Sequence, residues 1–423
     1  MIIKKLIQLG QSPVSKIRQA RRFRPAMSPY RLEERAVPAV APYIIPLELV
    51  NIKPPGTTPE YKLGIYVGLG GGSPKLYEFD TGGEGFWAAY SGSDCDCQWW
   101  GPTKLKEQGT MNITYSSGNV YKANLVSTTV TLFAPGTNGQ APAPVVTTGE
   151  VDLAQITRFT NNRTPGAARA WRNALKDGEA PLFGNFYGDF GASLQPIKSS
   201  KGTNIFSILP QIPMPAGLDV GFVVHVGSID SKTQPYLQIG IDPSATSENT
   251  SQVAMNVFKK DTTPVYFPVT NVPAYSEQVA NANFELHDTN KNLKQTFSNI
   301  GWTIDTGAPT ATIWQSLSPR GPGVNVNSGF LKQGRNKSEF LDNVELKITA
   351  NSAIAGKPGL LAKARTGKPY PKIPLSAGRH TATSAPGWNY VNTGLWTFTQ
   401  FDISFNLSKG LVGFSSVNTS QVG

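Results

Sequence analysis

The tripeptide Asp-Thr-Gly occurs twice in this chain, at Asp80-Thr81-Gly82 and at Asp305-Thr306-Gly307. Each copy directly follows the apolar end of a predicted strand, Leu76-Tyr-Glu-Phe79 in the first case and Gly301-Trp-Thr-Ile304 in the second. Chance would place two copies in well under ~1% of chains of this composition. The repeat therefore predicts two tight turns that act together.

The chemistry of such a turn follows from its three residue types. Glycine lets backbone N–H groups approach the aspartate oxygens, and threonine can hydrogen-bond across to the other copy. Two carboxylates about 3 Å apart cannot both ionise at low cost, so they share one proton. The pair Asp80 and Asp305 is thus predicted to supply one base and one acid that act on a water molecule, with no metal and no other cofactor.

Composition favours an all-β protein. The chain has 42 glycines and 33 prolines, while charged residues make up only 16%, a balance typical of many short strands and turns. Helical periodicity is clearest over Ala167–Leu175. The predicted strands are Tyr43–Ile52, Tyr61–Leu69, Leu76–Phe79, Ile113–Tyr115, Ala123–Leu132, Gly221–Val226 and Tyr236–Ile241.

Most of the positive charge lies in the first 40 residues. The formal net charge is +11, and residues 1–40 carry nine Lys or Arg against two Glu, which places +7 of that charge there. The remaining chain is nearly neutral for its size, so we expect no nucleic-acid partner. The histidines His225, His287 and His380 lack metal-ligand spacing, and no apolar run approaches the ~20 residues of a membrane span.

Two short segments leave alternatives open. The segment 21–39 resembles the basic leaders of large exported bacterial proteins, which favours export to the cell envelope or beyond, but a disordered tail would have the same composition. Cys95 and Cys97 are too close for an easy disulfide, although a strained bridge in a tight turn stays open. Two cysteines alone supply too few ligands for a metal.

The residues around the first motif form an ordered series: Tyr61–Gly70, Ser73-Pro74, Leu76–Gly82 and Phe86-Trp87. This series resembles the first active-site region of pepsin-like aspartic peptidases, and Trp87 falls where that family has a cleft tryptophan. The likeness continues at Ile113–Gly118, which is similar to the family's flap hairpin. It implies that Tyr115 closes over the substrate and hydrogen-bonds that tryptophan.

Later segments follow in the family's order. Phe186–Gly191 resembles the element that supports the first catalytic turn, and Tyr236–Asp242 the strand that closes the first half. Ile304–Ala308 is similar to the second catalytic turn. The final support and closing strands are matched by Gly394–Asp402 and Gly410–Phe414.

The chain also departs from the family pattern. Gly83 and Ala308 stand where pepsins usually carry a Ser or Thr hydroxyl that hydrogen-bonds the dyad, which predicts a pH optimum shifted toward neutral. The other departures are Ser116 in place of a flap glycine, Asp189 within an apolar support, and Asn392-Thr393 where two aliphatic residues are expected.

These observations predict an all-β, bilobal pepsin-like fold with a cleft between two pseudo-symmetric lobes. We expect a basic leader over residues 1–40, an N-terminal lobe over 41–262 and a C-terminal lobe over 263–423. The resemblance implies a monomeric aspartic endopeptidase acting on protein or peptide substrates. The expected site comprises the catalytic Asp80 and Asp305, the supporting Thr81, Gly82, Thr306 and Gly307, and the flap and cleft residues Tyr115 and Trp87.

Less specific interpretations remain. Asp80 and Asp305 could simply form turns, and Tyr115 and Trp87 could be ordinary core aromatics. The leader could be a propeptide that covers the acidic cleft, as in the family's zymogens. The alternative function is a catalytically weak or inactive protein of the same fold that binds peptide or glycan.

Overall fold

The computed structural model describes residues 41–417, except 54–56, 58, 93–98, 116, 137–139, 228–232, 245–249, 316–325, 334–338, 357–358, 367–374 and 380–389. The basic leader, Cys95, Cys97 and Ser116 therefore lie outside the described residues. Within the described ranges, no helix is both long and apolar enough to cross a membrane.

Strands make up most of the fold. In the first half of the chain they are β1 (Tyr43–Pro46), β2 (Glu48–Asn51), β3 (Tyr61–Leu69), β4 (Lys75–Asp80), β5 (Phe86–Ala89), β6 (Lys104–Thr114), β7 (Asn119–Ala134), β8 (Ala143–Asn161), β9 (Gly188–Gly191), β10 (Ile197–Lys198), β11 (Asn204–Ile205), β12 (Asp219–His225) and β13 (Tyr236–Ile241). The helix α1 (Ala167–Lys176) follows β8.

The second half continues this pattern. Its strands are β14 (Thr250–Val257), β15 (Lys259–Lys260), β16 (Thr263–Pro264), β17 (Tyr275–Asp288), β18 (Leu293–Thr303), β19 (Ala311–Gln315), β20 (Val344–Ala350), β21 (Leu360–Arg365), β22 (Leu375–Arg379), β23 (Tyr390–Asn392), β24 (Phe401–Asn406) and β25 (Leu411–Ser416). Short 3₁₀ turns lie at Leu209–Gln211, Ser328–Phe330 and Leu395–Thr399.

Two large sheets form the body of the molecule. An eight-stranded sheet has the order β2-β3-β4-β9-β5-β8-β7-β6, and an additional β3–β7 pairing curls it toward a barrel. A 13-stranded sheet joins β1, β12 and β13 from the first half of the chain to β14 and to β17 through β25. One continuous cluster of buried apolar side chains packs against both sheets.

The same three-strand arrangement occurs once in each half. In the first half, β9 lies between β4, to which it is parallel, and β5, to which it is antiparallel. In the second half, β23 lies between β18, to which it is parallel, and β19, to which it is antiparallel. Each Asp-Thr-Gly turn leaves the strand that has the parallel neighbour, so the two turns are held in the same way.

Several predicted elements match the structure. The strands Tyr61–Leu69 and Tyr236–Ile241 have the predicted bounds, and α1 extends the predicted helix by one residue. The predicted strand Tyr43–Ile52 is instead divided at Leu47 into β1 and β2, because β1 pairs with β13 and β2 pairs with β3. The boundary between lobes at residue 262 stays a prediction.

We predict that Gly188→Ala destabilises the sheet around β9. Gly188 has a φ of 147°, and a Cβ there would lie 2.1 Å from the carbonyl oxygen of Trp87. Backbone strain and overpacking together should lower the free energy of unfolding by about 3 kcal/mol or more, measured by chemical denaturation. Gly202→Ala is the matched control, because Gly202 has a φ of 80° but no atom of the described residues within 4 Å of the new methyl group. Equal losses in the two variants would contradict the prediction.

Candidate active site

The first turn is held by its parallel neighbour. Asp80 is the last residue of β4 and pairs with Gly191 of β9. The N–H of Ala192 donates to the carbonyl of Asp80 at 2.6 Å, and the N–H of Ser193 donates to that of Gly83 at 3.0 Å. A Cβ at Gly191 would lie 2.4 Å from the oxygen of Gly83, so only glycine allows this close approach.

The second turn is supported in the same manner. Thr393, which follows β23, donates its N–H to the carbonyl of Thr303 at 2.9 Å. Leu395 donates its N–H to the carbonyl of Ala308, also at 2.9 Å. The backbone on both sides of Asp305 is thereby fixed.

The two turns are joined by reciprocal hydrogen bonds of their threonines. Thr81 Oγ1 accepts from the N–H of Thr306 at 3.0 Å and donates to the carbonyl of Ile304 at 2.7 Å. Thr306 Oγ1 accepts from the N–H of Thr81 at 3.0 Å and donates to the carbonyl of Phe79 at 2.7 Å. Both threonines are buried, so each turn satisfies buried backbone groups of the other.

The two carboxyl groups lie within hydrogen-bonding reach of each other. Each also packs on the glycine of the opposite turn. A Cβ at Gly82 would lie 2.5 Å from Cγ of Asp305, and one at Gly307 would lie 2.2 Å from Cγ of Asp80. Residues 80–82 and 305–307, predicted from sequence as one unit, are therefore brought together.

The two aspartates differ in their hydrogen-bond donors. Asp80 Oδ1 accepts from the N–H of Gly82 at 2.8 Å. Asp305 Oδ1 accepts from the N–H groups of Gly307 at 2.8 Å and Ala308 at 3.1 Å. In addition, Asp305 Oδ2 accepts from Nδ2 of Asn392 at 2.5 Å.

The surroundings of Asp80 favour its neutral form. Burial is the largest cause and the carboxyls of Asp305, Asp189 and Glu78 add to it, which together hold the pKa of Asp80 well above its usual range. Asp80 is only 7% exposed, whereas Asp305 is half-buried.

A third carboxyl group, that of Asp189 in β9, stands beside Asp80. Asp189 is 3% exposed, and its Oδ2 accepts a hydrogen bond from the hydroxyl of Tyr115. Its Oδ1 is buried and has no hydrogen-bond partner among the described residues. A Cβ at Gly83 would lie 2.9 Å from Asp80 Oδ2 and 3.0 Å from Asp189 Oδ2. The missing side chain at position 83 thus leaves room for this carboxyl.

One buried ion pair adjoins these acids. Lys62 of β3 pairs with Glu78 of β4, and Glu78 is the strand partner of Asp189. Burial raises the pKa of Glu78, while Lys62 opposes that rise. For Lys62, burial lowers the pKa, but the charge and hydrogen bond of Glu78 outweigh it and leave the pKa raised.

The predicted flap is a hairpin of β6 and β7. The N–H of Tyr115 donates to the carbonyl of Asn119 at 2.9 Å, and the N–H of Gly118, at a φ of 90°, donates to that of Tyr115 at 2.9 Å. The Tyr115 ring packs edge-on against Tyr121, with centroids 5.3 Å apart. The hairpin therefore lays Tyr115 over the first turn.

The implied hydrogen bond between Tyr115 and Trp87 is not formed. The indole N–H of Trp87 donates to the carbonyl of Glu84 at 2.8 Å, and Trp87 is fully buried. The indole has no other N–H to donate to the Tyr115 oxygen, and the Tyr115 hydroxyl donates to Asp189. The structure thus packs Trp87 in the core rather than on an exposed wall.

Two more acids flank the dyad from opposite lobes. Glu84 follows the first turn and accepts from Nε2 of Gln195 at 2.5 Å, while the Oε1 of Gln195 accepts from the N–H of Glu277 in β17. Burial raises the pKa of Glu84 to about 7. Burial, with Asp305 and Glu84 nearby, raises the pKa of Glu277 to about 8.

Sequence reasoning did not assign Asp189, Asn392, Glu84 or Glu277 to the site. Asp189 and Asn392 carried a signal, since both are polar residues in apolar support segments. Glu84 also carried a signal, because it lies only four residues after Asp80 in the chain. Glu277 offers no local signal, because only the pairing of β17 brings it near the turns.

We predict that Thr306→Val costs much more stability than Thr306→Ser. Valine leaves the buried N–H of Thr81 and the carbonyl of Phe79 without their partner, at roughly 1–3 kcal/mol for each group. Serine keeps the hydroxyl and loses only a methyl group, worth about 1 kcal/mol. Urea unfolding of both variants checks this, and equal midpoints would contradict it.

A second prediction concerns pH. For Glu84 and Glu277 the folded pKa lies above the ordinary 4.5, so between pH 4.5 and about 7 to 8 the unfolded chain releases protons that the folded protein keeps. The free energy of unfolding should therefore fall as pH rises through that window, by up to ~1.4 kcal/mol per pH unit for each group. Glu84→Gln should flatten the fall, measured by denaturant unfolding between pH 4 and 8.

The control is Glu150→Gln, because the side chain of Glu150 is exposed and lies outside the buried cluster of acids. This variant should keep the full pH dependence. An unchanged slope in Glu84→Gln would contradict the assignment of the effect to Glu84.

Comparisons with known proteins support the fold. No family model matches the chain, and no curated protein sequence matches it. Among solved structures, the chain is similar to the crystal structure of an aspartic proteinase from Irpex lacteus, with a TM-score of 0.50 and 13% identity, over 90% of this chain and 99% of that one. The chain therefore has the all-β, two-lobed fold of the pepsin-like aspartic proteinases.

Proposed function

We propose that the chain is an aspartic endopeptidase that hydrolyses peptide bonds with Asp80 and Asp305. The observation that carries this proposal is the reciprocal packing of the two turns, with each glycine against the opposite carboxyl and each threonine hydrogen-bonded across. An Asp-Thr-Gly turn with only a structural role would not need a second such turn whose carboxyl group lies against its own.

The chemistry follows from two acids that share one proton. The ionised member removes a proton from a water molecule as that water attacks the scissile carbonyl carbon. The neutral member donates its proton to the carbonyl oxygen as the tetrahedral intermediate forms, and proton transfer to the amide nitrogen then releases the amine. No covalent intermediate with the protein is needed.

The flap supplies the means to enclose an extended substrate. Tyr115 at the tip of the β6–β7 hairpin is held against Asp189 beside Asp80. A peptide that enters the cleft would lie under this hairpin, where exclusion of water strengthens each electrostatic contact. We therefore propose peptide segments in extended conformation as the substrate class.

A binding function without turnover is the second candidate. It is favoured by the lack of a hydroxyl at Gly83 and Ala308 and by the hydrogen bond that already engages Tyr115. A protein of this type would hold its peptide or glycan between the lobes and release it unchanged. The two candidates predict different outcomes in one experiment.

We predict that the full-length protein cleaves a mixed peptide pool between pH 3 and 7. Asp80→Asn and Asp305→Asn should each lower kcat/KM by about 10² to 10⁴, because each removes one partner of the general acid-base pair. Cleavage is followed by mass spectrometry, and pepstatin should inhibit it.

Asp288→Asn is the matched control. Asp288 is also buried, but it accepts hydrogen bonds from the N–H groups of Asn290 and Lys291 at the far end of β17. Its replacement should leave cleavage intact. Equal cleavage by wild type and Asp80→Asn would exclude the proposed mechanism, and ligand binding without any cleavage would favour the second candidate.

A further inference from the structure

Asp189 and Asn392 occupy equivalent positions in the two lobes. Asp189 lies in β9 opposite Glu78, which is two residues before Asp80. Asn392 lies in β23 opposite Thr303, which is two residues before Asp305. In each lobe, the central strand therefore places one polar side chain next to the aspartate of that lobe.

In both lobes, the position three residues after the aspartate also lacks a side-chain hydroxyl. Gly83 and Ala308 each stand three residues after their aspartate and carry no polar side chain. At position 83, the Asp189 carboxyl group takes up the space beside Asp80, since a Cβ there would lie 3.0 Å from its Oδ2. The polar side chains next to Asp80 and Asp305 therefore belong to β9 and β23 and not to positions 83 and 308 of the two turns.

The orientation of Asn392 is determined by its two hydrogen bonds. Its Oδ1 accepts from the N–H of Gly394 at 2.9 Å, which leaves Nδ2 to donate to Asp305 Oδ2 at 2.5 Å. With the N–H groups of Gly307 and Ala308, three donors point at Asp305. Such donors stabilise an ionised carboxylate.

Asp189 has the opposite effect on Asp80, because it favours the form of Asp80 that carries a proton. It brings a second acid into a buried site, where no described residue forms a hydrogen bond with its Oδ1. Within the part of the chain that the structure describes, the carboxyl group of Asp80 accepts from one N–H donor, that of Gly82. A carboxyl group with one N–H donor and an acidic neighbour is more stable with its proton than without it.

We propose that Asp189 and Asn392 are positioning residues that polarise the dyad, so that the shared proton resides on Asp80 and Asp305 is the ionised base. This inference rests on the proposed peptide hydrolysis and adds the division of roles within it. Asp80 then donates its proton to the substrate carbonyl, and Asp305 receives the proton of the attacking water.

Other titratable groups also lie near Asp80, Asp189 and Asp305. Lys62 and Glu78 form an ion pair beside Asp189, where Glu78 raises the pKa of Asp189 and Lys62 lowers it. Glu277 lies on the side of Asp305 and Glu84 lies nearby, and the raised pKa values of both keep them neutral at acidic pH. The titratable groups that face Asp189 and Asp80 from the packed elements are Lys62, Glu78, Tyr115, Tyr121 and Asp305.

The test exchanges the two side chains by isosteric substitutions. Asp189→Asn removes the acid beside Asp80, so the alkaline limb of the kcat/KM profile should move to lower pH by about one unit or more. Asn392→Asp removes a donor from Asp305 and adds an acid, so the acidic limb should move to higher pH. The double variant exchanges both environments and should recover a profile closer to wild type than either single variant has.

A carboxyl titration locates the proton without any need for turnover. Protein with ¹³C-labelled aspartate is titrated by NMR, and the Asp80 and Asp305 signals are assigned by their loss in Asp80→Asn and Asp305→Asn. We expect a protonated Asp80 and an ionised Asp305 at pH 5 in the wild type. In the double variant, we expect the opposite order.

The outcomes separate this inference from the proposed function. Asp288→Asn should move neither limb, so a shift in Asp189→Asn cannot be attributed to loss of a buried carboxyl group in general. An unmoved alkaline limb in Asp189→Asn, or a proton found on Asp305 in the wild type, would overturn the inference. If the wild type cleaves no peptide, the proposed function fails, and the NMR titration still decides where the proton lies.

Discussion

The hydrogen bonds between Thr81 and Thr306 are the constraint on which the site depends. Each hydroxyl satisfies one N–H and one carbonyl of the other turn in a region that water does not reach. Neither lobe can supply these partners alone, because the two threonines are 225 residues apart. The cost of leaving buried backbone groups unpaired thus holds the two aspartates face to face.

The two lobes have the same arrangement of strands around the aspartate, but they differ in the polar side chain that lies next to it. In both, a central strand lies parallel to the strand before the aspartate and antiparallel to the strand after it. The side chain on that strand is an acid in one lobe, Asp189, and an amide in the other, Asn392. A symmetric scaffold can therefore hold a chemically asymmetric pair, which is what separate acid and base roles require.

The sequence predicted those parts of the fold that depend on local pattern. Strand alternation located β3 and β13, and helical spacing located α1, because both periodic patterns involve residues that are close together in the chain. The 19-residue strand β8 was not predicted, since its central residues Thr147–Glu150 break the alternation and its pairing with β7 contains several bulges. In the second half, strand order depends on long-range pairing, such as β18 with β23, that no local pattern encodes.

The same division applies to the site. The doubled motif was sufficient to predict that Asp80 and Asp305 meet, because the chemistry of each turn is contained in three consecutive residues. Asp189 and Asn392 looked like departures from an apolar pattern, since their contacts with the dyad run across strands and not along the chain. A polar residue in a buried support strand is costly unless a partner offsets it. Two such residues at equivalent positions, each opposite a turn that lacks its hydroxyl, are therefore better explained as one compensating change than as two separate defects.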